Sequence, residues 1–138
     1  MKEKNQDADR RDVQTEAAVN AALAVMEAHI TALNARDETA LNATLHFPHY
    51  RLSGGKLKVW QQPGEYLADF RARTTSDWHH SRWDKLDVVE AGADKVHLNV
   101  QFTRYREDGS VIGVFRSLWV LSCLDGRWAA QLRSSFAA

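Results

Sequence analysis

Polar and apolar residues alternate through the C-terminal part of the chain, over residues 96–136. Two Asp-Gly pairs, Asp108-Gly109 and Asp125-Gly126, interrupt this alternation. A period of two is typical of a half-buried strand, and an Asp-Gly pair between two such runs is a strong signal for a hairpin. The pattern therefore predicts three consecutive antiparallel strands joined by two tight turns.

The two turns also predict the pairing of these strands, because a two-residue loop fixes which residues oppose each other. The first turn predicts four inward pairs: Val96 with Leu121, Leu98 with Trp119, Val100 with Ser117 and Phe102 with Phe115. The second predicts five: Cys123 with Trp128, Leu121 with Ala130, Trp119 with Leu132, Ser117 with Ser134 and Phe115 with Phe136. Both registers turn the same residues of the middle strand inward. This predicts an apolar inner face with Ser117 and Ser134 as its polar exceptions.

Helical periodicity marks the N-terminal part. Residues 1–11 are polar, and we expect a frayed tail or a weak continuation of the first helix there. From Asp12 to about Ala35, apolar residues recur at intervals of three and four, which predicts an amphipathic helix. Asp37 is the expected N-cap of a short second helix that ends before Pro48. One domain is expected over residues 12–138.

A hairpin and a third helix are predicted in the middle of the chain. Gly54-Gly55 is the expected hairpin turn, and it predicts two pairs on one face: Leu52 with Leu57, and Tyr50 with Val59. Pro63 suits the first position of a helix whose apolar contacts are Leu67 and Phe70.

A long strand over residues 78–90 follows, and its loops do not set its phase. Turning Leu86 and Val88 inward is the preferred phase, and it brings a polar set to the inner face: His80, Arg82 and Asp84. A β-bulge within the strand is the alternative, since one extra residue would bring Trp83 or His79 inward instead.

Composition narrows the class of protein. The chain has 138 residues, of which 44% are hydrophobic, and equal numbers of basic and acidic residues, 18 each. We expect one globular domain, and a neutral chain argues against nucleic acid as a partner. The single cysteine, Cys123, excludes an internal disulfide and is expected to be a buried thiol. Because the chain lacks a long apolar run and its first residues are charged, we predict no membrane contact and a cytoplasmic location.

The order of the predicted elements resembles the nuclear transport factor 2-like superfamily, in particular its SnoaL-like members. Three stretches carry this resemblance: HITALNARDETAL, HFPHYRL and DGRWAAQLRSSF. HFPHYRL and WHHSRWD also resemble an uncharacterised bacterial group within it. The resemblance covers roughly residues 12–136. It implies an α+β fold in which N-terminal helices pack on a strongly bent antiparallel (mixed) β-sheet and form a cone with a central pocket. It also implies a homodimer through the convex sheet face, which in the predicted register carries a mixed polar and aromatic set: Trp83, His97, Gln101, Arg116 and Arg133.

The resemblance does not choose a function, because the superfamily contains isomerases, cyclases, dehydratases, hydrolases and binding domains. Its isomerases place a carboxylate base directly before a proline at the end of the second helix. Phe47 stands there in this chain, so that base is absent, and nearby His46 is the candidate that replaces it. The alternative for His46 is a structural contact with the helix carbonyls.

Arg82 and Asp84 are the next catalytic candidates, together with His80 on the same predicted face. An inward carboxylate beside a guanidinium stays ionised and can act as a base, whereas the alternative is an ion pair that fixes the bent strand. His79 and His80 point to opposite sides of a strand, so we predict no metal site and no cofactor.

Six residues are predicted to contact a ligand in the cone: Tyr50, Phe102, Ser117, Trp119, Leu132 and Ser134. Two functions follow from this site. One is a small-molecule-binding domain with acid-base chemistry, of isomerase, cyclase or hydrolase type, on an apolar oxygenated metabolite. The other is a non-catalytic dimeric binding or accessory module whose cone is filled by its own aromatic side chains.

Overall fold

The computed structural model describes the backbone of residues 2–137 and the side chains of residues 13–137. Its elements follow one another in this order: α1 (Lys2–Ala35), α2 (Glu38–Asn42), β1 (Leu45–Ser53), β2 (Lys56–Trp60), α3 (Tyr66–Arg73), β3 (His80–Ala91), β4 (Lys95–Tyr105), β5 (Val111–Leu124) and β6 (Arg127–Ser135). The six strands form one open sheet in the order β2-β1-β6-β5-β4-β3, with β1 and β6 parallel and the other neighbours antiparallel. The predicted α+β class is confirmed.

Helix α1 covers the inner face of the sheet with the predicted apolar stripe. Met26, Ile30 and Leu33 are buried, and small residues above them allow close approach to the strands. Asp37 caps α2 as predicted, since its carboxylate accepts the Ala40 backbone N–H at 3.1 Å.

The predicted length of the second helix is wrong. It ends at Asn42, and the chain is already a strand at Leu45. Pro48 lies inside this strand, where the pairing with β6 is interrupted between Leu45 and Tyr50. Proline cannot donate a ladder hydrogen bond, and such an irregularity accommodates it.

The hairpin of β4 and β5 has the predicted register from Val96 opposite Leu121 to Arg104 opposite Gly113, and it departs from it by one residue at Tyr105, which faces Val111. Between β5 and β6 the prediction holds as far as Leu121 opposite Ala130.

A bulge at Gln131 then shifts the register by one residue, so the predicted inward placement of Leu132, Ser134 and Phe136 is wrong. Trp119 faces Arg133 and Ser117 faces Ser135 instead. Phe136 is 84% exposed, and the outward placement predicted for Arg133 is also wrong, because this side chain is buried.

Strand β3 contains two bulges, one at Asp84 and one at Val89. The first keeps both Trp83 and Leu86 against the core, which is the alternative that the sequence left open for Trp83. The preferred phase, with Arg82 and Asp84 inward, is wrong, because both side chains are exposed. Trp83 is accordingly absent from the convex face.

Candidate functional site

The concave face of the sheet encloses a small cavity beneath α1 and α3. Its volume is about 30 Å³. Fifteen residues line it: His29, Ile30, Leu33, Arg51, Tyr66, Phe70, Arg73, Ser81, Trp83, Phe102, Arg104, Ser117, Trp119, Arg133 and Ser135. A cavity of this size holds about two water molecules or the end of a larger molecule.

Four arginines converge on this cavity from four elements: Arg51 on β1, Arg73 on α3, Arg104 on β4 and Arg133 on β6. We call them the arginine cluster. Among the lining residues that the structure describes, none is Asp or Glu. The described lining of the cavity therefore contributes four cations and no carboxylate.

Local structure explains how each arginine comes to face inward. The Gln131 bulge turns Arg133 inward, and Arg51 lies beside it because β1 and β6 pair in parallel with these two residues opposite each other. Arg104 continues the inward series beyond Phe102 on β4. Arg73 is in the last turn of α3, where a cation also complements the helix dipole.

Aromatic rings lie close to three arginines of the cluster, Arg73, Arg104 and Arg133. The guanidinium carbon of Arg133 lies 4.5 Å from the ring centroid of Trp119 and 5.0 Å from that of Tyr66. Arg104 lies 4.7 Å from Phe115. Cation–π contacts of this kind contribute roughly 0.5–2 kcal/mol each, whereas a buried ion without a counter-charge costs several kcal/mol. The rings offset only part of the cost.

The cluster is cationic at neutral pH. Burial first, and then the charge of Arg73, lower the pKa of Arg51, Arg104 and Arg133 to about 10. These values remain well above 7, so each guanidinium keeps its proton. The repulsion shows that the cluster members interact with one another across the cavity.

Two hydrogen-bond donors of the cluster are unused. Arg133 is 6% exposed, and neither its Nε nor that of Arg73 has a hydrogen-bond partner among the described residues. A terminal nitrogen of Arg133 donates to the hydroxyl of Tyr66. Because that oxygen accepts from a cation, the hydroxyl proton of Tyr66 is free to donate into the cavity.

His29 on α1 lines the cavity with a fixed tautomer. Thr44 Oγ1 donates to the Leu41 carbonyl at 2.7 Å, so its hydrogen is committed. It therefore accepts from His29 Nδ1–H at 2.8 Å, which leaves Nε2 of His29 as an unprotonated acceptor. Burial first, and then the Arg133 charge, hold the pKa of His29 well below its usual value. The imidazole is neutral.

His49 is a second buried neutral histidine, directly behind the cavity wall. Its Nδ1 donates to the Ala130 carbonyl at 2.9 Å, and its Nε2 has no partner among the described residues. Burial first, and then the Arg133 charge, lower its pKa to about 3.

Three of the six predicted ligand contacts line the cavity: Phe102, Ser117 and Trp119. Leu132 and Ser134 are displaced by the bulge, and Arg133 and Ser135 take their places. Tyr50 shares the face of exposed Leu52, whereas His49 and Arg51 face inward. The inward assignment of Tyr50 is therefore wrong.

The predicted catalytic residues do not come together at the cavity. Asp84 accepts from Thr103 Oγ1 at 2.6 Å on the outer side of the sheet, and Arg82 is exposed. His80 stacks on Tyr105 with ring centroids 4.9 Å apart, away from the lining residues. His46 is buried in β1, with Nε2 2.9 Å from the Ser122 carbonyl of β5 and Nδ1 3.2 Å from Arg127, so its structural contacts are not the helix carbonyls that the sequence offered as its alternative.

Sequence reasoning missed His29, Tyr66 and all four arginines of the cluster as site residues. A signal for His29 was present, because residue 29 falls between Met26 and Leu33 on the face of the predicted stripe. Arg133 depended on a bulge that no pattern in the sequence marks.

Comparisons with known proteins identify the fold. No family model matches the chain, and no curated protein matches it. A solved NTF2-like protein with a cystatin-like fold from Novosphingobium aromaticivorans is similar over 97% of this chain and 88% of its own, with a TM-score of 0.69 at 14% identity.

Two further solved structures carry names that mention an activity. A ketosteroid isomerase-like protein from Erwinia carotovora atroseptica covers 86% of this chain and 94% of its own, with a TM-score of 0.63 at 19% identity. A type 2 hexachlorocyclohexane dehydrochlorinase covers 91% and 88%, with a TM-score of 0.64 at 16% identity. At these identities the likeness shows the fold, and the chain has the cystatin-like cone fold of NTF2-like proteins.

Proposed function

We propose that this chain, an NTF2-like cone, binds a small organic anion through the arginine cluster. The observation that carries the proposal is the composition of the cavity wall, with four guanidiniums and no carboxylate among the described lining residues. Guanidinium groups form strong, charge-assisted hydrogen bonds to carboxylates and phosphates. An anion would engage the unused Nε donors of Arg73 and Arg133.

The size and the walls of the cavity specify the ligand further. About 30 Å³ admits a carboxylate-sized group but not a whole metabolite. Phe70, Phe102 and Trp119 supply apolar contacts around that group. The expected ligand is an oxygenated metabolite whose acidic end enters the cone.

Isothermal titration with acetate, propionate and benzoate at constant ionic strength tests this function. We expect saturable binding of at least one of them, and at least tenfold weaker binding by Arg133→Met. Arg82→Met removes an exposed arginine from the outer face and is the matched control, with unchanged affinity expected. Absence of binding in the wild type, or equal losses in both variants, contradicts the proposal.

Proton transfer is the second candidate function, and the fixed tautomer of His29 favours it. The free Nε2 would accept a proton from the carbon next to a carbonyl of the bound anion. Tyr66 and Arg133 would stabilise the negative charge that develops on the carbonyl oxygen. Acid-base chemistry of this type needs only residues that line the cavity.

Exchange of the methyl protons of pyruvate in D₂O, followed by NMR, tests this chemistry. We expect exchange above the buffer rate, and a loss of about 100-fold or more in His29→Asn. Asparagine keeps a donor toward Thr44 and lacks the base. His46→Asn is the matched control. Exchange that persists in His29→Asn removes the residue from the mechanism.

We also propose that two copies associate through the convex sheet face, which would equally serve a non-catalytic dimeric module. Val114 and Phe136 are 55% and 84% exposed there, beside a groove that contains Gln101, Arg116 and Leu118. Aromatic residues and arginine are typical of such interfaces. Light scattering should give a dimer that Leu118→Asp dissociates. Leu57→Asp, on the exposed β1–β2 hairpin, should leave it intact.

A further inference from the structure

A second, open pocket adjoins the cavity at its outer end. It has a volume of about 330 Å³ and lies between the β1–β2 hairpin and α3. Arg51 and Arg73 line both the cavity and this pocket, and Ser53, Lys56, Lys58, Trp60, Asp69 and Ala72 complete it. We call it the outer groove. The cavity and the groove therefore meet at Arg51 and Arg73, and a ligand that reached both would contact these two side chains.

The outer groove carries an excess of positive charge. Arg51, Lys56, Lys58 and Arg73 contribute four cations, and Asp69 is the one acidic residue among its described lining residues. The Asp69 carboxylate is already engaged, since it accepts Trp60 Nε1–H at 2.7 Å and lies 3.4 Å from Lys58 Nζ. Lys56 is exposed and available to an anion in solution.

We infer that the ligand is a compact molecule with two separate acidic groups, one held in the cavity and the other in the outer groove. This inference rests on the proposed anion-binding function and specifies its ligand. The two spaces differ about tenfold in volume, so the cavity takes a terminal group and the groove takes the remainder. A short carbon linker would run along the groove past Ala72 and the edge of Trp60, which is 3% exposed.

Titration with paired probes of equal carbon number tests this inference. Succinate, glutarate and adipate are compared with butyrate, pentanoate and hexanoate at constant ionic strength, because screening alters exposed charges. One dicarboxylate is expected to bind at least tenfold more tightly than its monocarboxylate partner. Inorganic phosphate, which carries its charge on one group, is expected to bind more weakly than that dicarboxylate.

Variants of the groove should act on the second acidic group alone. Lys56→Gln with Lys58→Gln is expected to weaken the dicarboxylate about fivefold, in the range of two exposed ion pairs, and to leave the monocarboxylate unchanged. Asp69→Asn keeps an acceptor for Trp60 and should tighten the dicarboxylate about twofold. Lys85→Gln with Lys95→Gln, two exposed lysines outside the groove, is the matched control.

Each result bears on a separate conclusion. If monocarboxylates and dicarboxylates bind equally, or if the groove and control variants behave alike, the two-group ligand is wrong and the proposed function stands. If phosphate binds as tightly as the best dicarboxylate, total charge decides affinity and the two-group ligand is again wrong. If no carboxylate binds, both the proposed function and this inference are overturned.

Discussion

The two faces of the sheet differ in the sign and the exposure of their charged residues. On the outer face, Arg82, Asp84, Lys85 and Asp87 alternate in sign and are exposed to solvent. On the inner face, Arg104 and Arg133 of the arginine cluster are buried among aromatic rings, Arg51 and Arg73 are half-buried, and the described lining of the cavity contains no carboxylate. Exposed mixed charges contribute little to stability or recognition, whereas a buried cluster of one sign is costly. This difference favours the proposal that the inner face holds its charge for binding rather than for folding.

Acid pH should give the largest effect, through the buried histidines behind the cluster. The pKa of His49 is lowered to about 3 in the folded chain, against an ordinary value of 6.5, and the pKa of His29 is also lowered. Between the lowered and the ordinary pKa values, the unfolded chain therefore binds more protons than the folded chain. The free energy of unfolding falls as the pH falls below about 6.5.

From pH 6.5 to pH 5 the loss of unfolding free energy for His49 is about 1.6 kcal/mol, and the lowered pKa of His29 adds a loss of the same sign. The described groups that face both histidines include no carboxylate: Arg73, Arg133 and Tyr66 face each of them, and His46 lies near His49. Urea unfolding across this range measures the slope. His49→Asn keeps a donor for the Ala130 carbonyl and should reduce the slope. An unchanged slope would show that His49 does not carry it.

Removal of a buried charge should give the next largest effect. Arg133→Met leaves no carboxylate unpaired, so we expect the free energy of unfolding to rise by about 1–3 kcal/mol without ligand. Removing one partner of a buried ion pair has the opposite sign. Chemical denaturation measures the change, with Arg82→Met as the control on the outer face. A loss of stability in Arg133→Met would mean that its contacts with Tyr66 and Trp119 are needed for the fold.

The outer face should give the smallest effect. Asp84→Asn keeps an acceptor for Thr103 Oγ1 and removes one exposed charge. We expect a change of about 0.5 kcal/mol or less in unfolding free energy, and no change in carboxylate affinity. Thermal unfolding and the same titrations check both values. A large loss of carboxylate affinity in Asp84→Asn would show that Asp84 takes part in ligand binding.

The sequence was informative wherever a local rule sets the geometry. Two-residue turns correctly predicted the β4–β5 pairing and the β1–β2 pairing, and Asp37 capped its helix. Cavity residues on those strands, such as Phe102 and Trp119, followed from the same rules. The architecture expected from the resemblance was also right.

The site itself depended on features that periodicity does not mark. The bulge at Gln131 turns Arg133 toward the cavity in place of Leu132. The bulge at Asp84 turns Trp83 inward in place of Arg82. A bulge changes the face of every residue beyond it without changing composition or turn chemistry. A predicted site is therefore most easily assigned to the wrong face where a strand carries Arg or Asp beside a bulge.

The central claim, that the arginine cluster binds an anion, is tested most directly by NMR of the arginine Nε–H groups during titration with propionate. Single Arg→Lys variants assign the resonances. We predict that the Nε–H signals of Arg73 and Arg133 move downfield as they acquire an acceptor, while that of Arg82 stays in place. Unmoved signals from Arg73 and Arg133, or an equal shift at Arg82, would contradict the claim.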